Sequence, residues 1–295
     1  MDLRTRALPR LLNREVEAYL QENDIILVPV GAVEMHGDLP LDCETVLSEA
    51  AALKMAEACD GLVLPGLPYF YAGATAIGRG TTQVSVRQGI DYLGAVARSL
   101  LRQGFRRQIY VSLHGPAYLT CSPMVRDFFD ETGVPILYVD LLLQLERLGK
   151  DLFPPEQPPY RRLDALILGA YDLLGRLEEV PLSPGGGAAL SPRGEAAPPP
   201  APTTAPFEQL FGLAYQSGGA GYCFGAASDH MPTTPLPTPE ARRALAEEGK
   251  AALCALVRRL ELPRMVRQLA ELARFEAQVG TRFPWMPGAR GMRGE

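Results

Sequence analysis

The segment Asp24-Ile25-Ile26-Leu27-Val28-Pro29-Val30-Gly31-Ala32-Val33-Glu34-Met35-His36-Gly37 carries both the fold and the chemistry of this chain. Its first half is an apolar run of strand length. Because successive residues are apolar, rather than alternate ones, it reads as a strand buried on both faces. Its second half places Glu34 and His36 just past that strand. Open α/β sheets put their ligand sites at the carboxyl ends of strands. A second apolar run, Ile109-Tyr110-Val111-Ser112-Leu113, leads in the same way into His114-Gly115. The chain has only three histidines in 295 residues, and two of them close a strand in a His-Gly pair.

Outward from these runs the first half alternates strands and helices. Val46, Leu47, Ala50, Leu53 and Ala56 recur at helical spacing from about Thr45 to Cys59, and Leu62-Val63-Leu64 makes a second strand. Ile90, Leu93, Ala97, Leu100 and Leu101 mark a helix that stops at Gly104, a C-cap glycine. The third strand runs from Gln108 to Leu113. A short helix around Met124 to Phe128 precedes a fourth strand, Pro135 to Val139. This βαβαβαβ order predicts an α/β fold with a mostly parallel sheet covered by helices on both faces.

Farther on, the stretch from Val180 to Pro206 holds eight prolines and the triplet Gly185-Gly186-Gly187, and is expected to be a long loop. A glycine-rich patch, Ser217 to Gly221, and the third histidine, in Asp229-His230, follow it. A helical hairpin is expected over Pro239 to Leu260 and Pro263 to Phe275. No internal repeat is evident, and the whole of 1–295 is expected to be a single domain.

Composition narrows the function. A net charge of -5 without a long basic run argues against nucleic acid or an anionic membrane as partner. The N-terminus lacks the apolar core of a signal peptide and the apolar runs are strand-sized, so a soluble cytoplasmic protein is expected. Five cysteines, Cys43, Cys59, Cys121, Cys223 and Cys254, are odd in number, widely spaced and without a CxxC pair; no disulfide framework is expected.

The candidate chemistry is that of a divalent metal. Carboxylates and imidazoles suit zinc or manganese, and a hydrolytic centre needs three or four protein ligands. Glu34 and His36, two residues apart, point the same way if extended. Glu44 stands in the first turn of the next helix, where a carboxylate is favoured and can also reach inward. His114 arrives from another strand end. Tyr69, Tyr71 and Tyr118 follow strands and are candidates to line a pocket. A nucleophile pair of His114 with Cys121 is a rival reading, weakened by their spacing.

These residues resemble the creatininase (creatinine amidohydrolase) family. The likeness is strongest at Pro29, Gly31, Glu34, His36, Gly37, Leu39-Pro40-Leu41 and Glu44-Thr45. It continues at Gly80-Thr81-Thr82, through Ser99 to Arg106 and into Leu113-His114-Gly115, with an echo from Thr238-Pro239-Glu240 to Glu248-Gly249-Lys250. It covers residues 10 to 140 well and the rest loosely. The resemblance implies a three-layer α/β/α sandwich, a homo-oligomer (a hexamer) and one or two divalent ions. Glu34, Glu44 and His114 would hold the first ion, while His36 and a bridging Glu44 would begin a second site.

Departures from the family pattern shape the expectation. Glu44 replaces the family's aspartate. Pro116 stands where some members have a glutamate, and Leu166 to Tyr171 lacks the family's later carboxylates. One ion rather than two is therefore expected, held by Glu34, His36, Glu44 and His114, or by three of them with the fourth as base. The reaction implied is ring opening of a small cyclic carbonyl compound. It would break a C–N bond in a cyclic amide, or a C–C bond in an oxidised inositol as in the 3-dehydro-scyllo-inosose hydrolase branch. His36 is the expected base, and Asp229 and His230 the expected proton donors to the leaving group. The alternative is a family member that binds a small molecule or a partner without catalysis.

Overall fold

The computed structural model describes residues 3–183 and 233–283. The chain begins with helix α1 (Asn13–Glu22) and strand β1 (Ile25–Pro29), then runs through α2 (Cys43–Cys59), β2 (Leu62–Val63), α3 (Val86–Gln103), β3 (Arg107–Ser112) and α4 (Tyr118–Thr132). Strand β4 (Leu137–Asp140) follows, then α5 (Leu141–Leu148), α6 (Pro159–Leu173), α7 (Pro239–Arg259) and α8 (Leu262–Arg282). The four strands lie in the order β2-β1-β3-β4, and every pairing is parallel. The parallel sheet expected from the strand and helix rhythm is borne out.

Side chains alternate across a strand, and both faces of this sheet bury them. Ile25, Leu27, Ile109 and Val111 join one core with Val46 and Leu47 of α2, Leu166 of α6, Leu253 of α7 and Val266 of α8. Ile26, Val28 and Tyr110 join a second core with Tyr19 of α1, Leu93 and Ala97 of α3, and Met124 and Phe128 of α4. Helix–sheet–helix layering follows, and it explains why β1 is apolar at every position. Among the described residues, no helix is long and apolar enough to cross a membrane.

Helix α2 has the sheet on one side and α6, α7 and α8 on the other. It is accordingly buried almost all round, from Cys43 to Cys59. The helices α6 and α7 cross backbone to backbone. A Cβ added at Gly249 would lie 1.6 Å from the Ala165 carbonyl oxygen, and one added at Gly169 would lie 2.2 Å from the Lys250 nitrogen. Both positions need glycine for approach, not for torsion.

Several boundaries differ from expectation. The short helix around Met124 is four turns long and starts at Tyr118, with Pro123 inside it. The proline forfeits one bond near the helix start, while Cys121, Met124 and Phe128 bury the inner face. The C-cap at Gly104, with φ 107°, is as expected. The hairpin is present as α7 and α8, the second longer than expected. Of the proline-rich stretch only Val180 to Ser183 is described; the rest of it, the glycine patch, Cys223, Asp229 and His230 lie outside the described residues. At the margins of that stretch, Ser183 pairs with Leu236 through two backbone bonds of 3.0 and 2.7 Å. Ser183 Oγ also donates to Asp38 at 2.9 Å, and Asp38 N–H donates to Thr233 Oγ1 at 3.0 Å.

Candidate metal centre

Three chain segments meet at the carboxyl ends of β1 and β3. Beyond β1 the chain passes so close to α2 that a Cβ at Gly31 would lie 2.4 Å from the Thr45 Cα. Thr45 Oγ1 donates to the Ala32 carbonyl at 2.8 Å, and Glu34 N–H donates to the Leu41 carbonyl at 2.9 Å. These bonds fold the 31–42 loop back onto the start of α2, which brings Glu34 and His36 beside Glu44. His114 follows β3 directly; its N–H donates to Ser112 Oγ at 3.1 Å, and the preceding Leu113 N–H donates to Ser48 Oγ of α2 at 3.3 Å.

The four expected ligands come together. Glu34, His36, Glu44 and His114 are between 2% and 7% exposed. Ligand atoms of Glu34, His36 and Glu44 lie within 4.8 Å of one another. His114 Nδ1 bonds to Glu44 Oε2 and lies 3.2 Å from Glu34 Oε1. His36 Nδ1 lies 4.0 Å from the other oxygen of Glu44, Oε1. Glu44 thus stands between the two imidazoles, with one oxygen toward each.

The tautomer of His114 decides what this arrangement wants. Its Nε2 lies 2.9 Å from the carbonyl of Tyr71, an acceptor, so Nε2 carries a proton. In the neutral ring Nδ1 is then a third acceptor facing two carboxylate oxygens. Three converging acceptors in a buried site require a cation between them, either a proton or a metal ion. Burial opposes charge on His114, but Glu44 and Glu34 outweigh it and raise the imidazole well above its ordinary range. Burial, with Glu34 adding to it, pushes Glu44 up to about 7. Burial also acts on Glu34, but its bonds to His114 and Thr75 prevail and hold it at about 2. The donor set, two carboxylates and imidazoles with the far nitrogen of His114 tied to a carbonyl, fits zinc or manganese.

Other expectations divide. Tyr71 contributes its backbone carbonyl, while Tyr69 is exposed and Tyr118 half-buried. The rival pair of His114 with Cys121 is overturned: both nitrogens of His114 face other partners, and burial raises the Cys121 thiol far above its ordinary range. Cys43 is buried, and burial together with Glu44 and Glu34 keeps its thiol neutral. The sequence reading did not find Thr75, whose hydroxyl donates to Glu34 Oε2. Nor did it find the clamp at the start of α2, where Asp42 accepts from the Tyr171 hydroxyl and, at 2.9 Å, from Arg176.

A parallel α/β sheet with buried carboxylates and imidazoles at its strand ends narrows the class of fold, and comparison with known proteins specifies the family. The family described as creatinine amidohydrolase matches residues 10–157, half of the chain. The creatinine amidohydrolase of Pseudomonas putida is 31% identical over 108 residues, 34% of this chain and 42% of that protein. The 3-dehydro-scyllo-inosose hydrolase of Thermotoga maritima is 32% identical over 108 residues, 36% of this chain and 35% of that protein. The matched stretches thus span less than half the length of either relative. A solved manganese form of creatininase superposes with a TM-score of 0.58 at 20% identity, covering 90% of this chain and 98% of that one. A Zn–Zn type of a creatininase mutant gives 0.54 at 18% identity, covering 87% and 98%. The chain belongs to the creatininase family.

Proposed function

We propose that this chain is a metal-dependent hydrolase that opens the ring of a small cyclic carbonyl compound. The observation that carries the reading is the convergence of His114 Nδ1, Glu34 Oε1 and Glu44 Oε2 on one buried point, with the far nitrogen of His114 tied to Tyr71. The two curated relatives, named for creatinine and for 3-dehydro-scyllo-inosose, both act on rings. They leave two options for this chain, a C–N bond in a cyclic amide or a C–C bond in a cyclic ketone.

In this reading Glu34, Glu44 and His114 would hold one zinc or manganese ion. When bound, such an ion polarises a carbonyl and lowers the pKa of water. His36 faces the opposite oxygen of Glu44 and serves as the base that takes a proton from the attacking water. Glu44 would offer one oxygen to the cation, while its other oxygen lies 4.0 Å from His36 Nδ1. Asp229 and His230 remain the proposed source of the leaving-group proton; the chain rejoins the described residues at Thr233, bonded to Asp38 two residues beyond His36. Burial of Glu34, His36, Glu44 and His114 suits a compact substrate reaching a dry centre. We further propose that the chain works as a homo-oligomer, which sedimentation or light scattering would measure.

Elemental analysis of the purified protein should find zinc or manganese at one ion per chain. Assayed against a panel of lactams and inososes, it should turn over at least one member, and a chelator should abolish that turnover. Metal-independent turnover, or tight ligand binding without turnover, would replace the reading with another hydrolytic chemistry or with a binding protein, respectively.

A further inference from the structure

We propose that Thr75 is a positioning residue whose hydroxyl holds Glu34 so that only Oε1 is offered to a cation. This rests on the metal-centre reading above. Thr75 is 3% exposed, and its Oγ1 lies against Glu34 Oε2 and 3.0 Å from the Ala72 carbonyl. Both neighbours are acceptors and the hydroxyl has one proton, which goes to the charged oxygen because charge-assisted bonds are the stronger. The other oxygen of the same carboxylate, Oε1, faces His114 Nδ1 at 3.2 Å. The two oxygens of Glu34 therefore have separate tasks, one toward the loop and one toward the centre.

The loop that carries Thr75 is itself fastened to the segment it supports. The Thr75 carbonyl accepts from Gly78 N–H at 2.8 Å and from Thr81 Oγ1 at 2.9 Å. Thr81 Oγ1 in turn accepts from Met35 N–H at 3.0 Å, and Thr82 N–H donates to the Val33 carbonyl at 2.9 Å. Both residues flanking Glu34 are thus bonded to the Gly-Thr-Thr element at 80–82. The same loop supplies the Tyr71 carbonyl that fixes the ring of His114. One loop therefore orients a carboxylate from beyond β1 and an imidazole from beyond β3. Partners of this kind commonly matter 10–100-fold to metal affinity.

The test compares T75V, which keeps the branched shape and loses the hydroxyl, with T75S, which keeps the hydroxyl. Zinc affinity by chelator competition should fall about 10–100-fold in T75V and return in T75S. The visible spectrum of the cobalt-loaded protein should change in T75V alone, since the released carboxylate can turn its second oxygen inward. Thermal melting of the metal-free proteins shows whether T75V folds; if it does not, T75A against T75S makes the same comparison. Wild-type protein that takes up neither zinc nor cobalt would overturn the metal centre and the proposal with it. Wild-type binding with unchanged affinity and spectrum in T75V, or T75S as weak as T75A, would overturn the role of Thr75 alone.

Discussion

Replacing His114 by alanine should lower zinc or manganese affinity by about 100-fold or more, beyond the 10–100-fold that losing a supporting partner costs. The imidazole offers Nδ1 to the point where Glu34 Oε1 and Glu44 Oε2 converge, and none of the bonds around it would survive truncation. What remains is a pair of buried carboxylates with only His36, 4.0 Å from Glu44 Oε1, beside them. Such a pair takes up protons rather than stay doubly charged, and a protonated carboxyl is a poor ligand. Glu44→Gln should act in the same direction, because it removes the charge between the two imidazoles while keeping the size. If Glu44 served only to start α2, the glutamine would leave affinity nearly unchanged. Metal content after dialysis and competition with a calibrated chelator measure both variants. Unaltered metal content in His114→Ala would remove this residue from the centre.

The largest effect on stability is expected at the crossing of α6 and α7. Helix propensity alone would make Gly249→Ala favourable by about 0.8–1.0 kcal/mol. Packing reverses the sign, because the added Cβ would stand 1.6 Å from the carbonyl oxygen of Ala165 and 2.1 Å from its carbon. The obstacle is backbone, which has no rotamer to change, so the helices must move apart along a fully buried seam. A cost of about 3 kcal/mol or more is expected, at or above the upper end of ordinary overpacking. That corresponds to a fall of roughly 6–12 °C in melting temperature for a domain of this order of size. Gly115→Ala is the control for the method, since a Cβ there would meet nothing within 4 Å. Equal melting temperatures for the two variants would contradict the close crossing.

The parts of the molecule legible in the sequence are those whose signal is local. Continuous apolar runs revealed β1 and β3, and the same runs pointed to the residues that follow them, Glu34, His36 and His114. Glu44 was readable from its place in the first turn of α2. The helices α1 and α6 were not assigned, for opposite reasons. Only Tyr19 of α1 is buried, so its apolar stripe is thin. In α6, residues 164–171 are all buried, so the 3.6-residue period disappears under helices packed all round. The support of the centre was illegible for a different reason. Tyr71 is a pocket candidate by sequence, but it acts through a backbone carbonyl that any residue would offer, and Thr75 meets Glu34 across 41 positions of chain. The clamp on Asp42 likewise joins residues 129 and 134 positions apart.

Glu44 sits on the helix that occupies the middle of the molecule, between the sheet and α6, α7 and α8. Its partners Glu34 and His114 hang from the two central strands, β1 and β3. A cation shared by these three side chains would tie the innermost helix to the innermost pair of strands. Occupancy and unfolding would then be linked by mass action: free metal at 100 times its dissociation constant adds about 2.7 kcal/mol of stability. Stripping the ion with a chelator should therefore lower the melting temperature, and titrating it back should restore it along the binding curve. The protein would act as its own thermometer of metal loading, readable without any substrate.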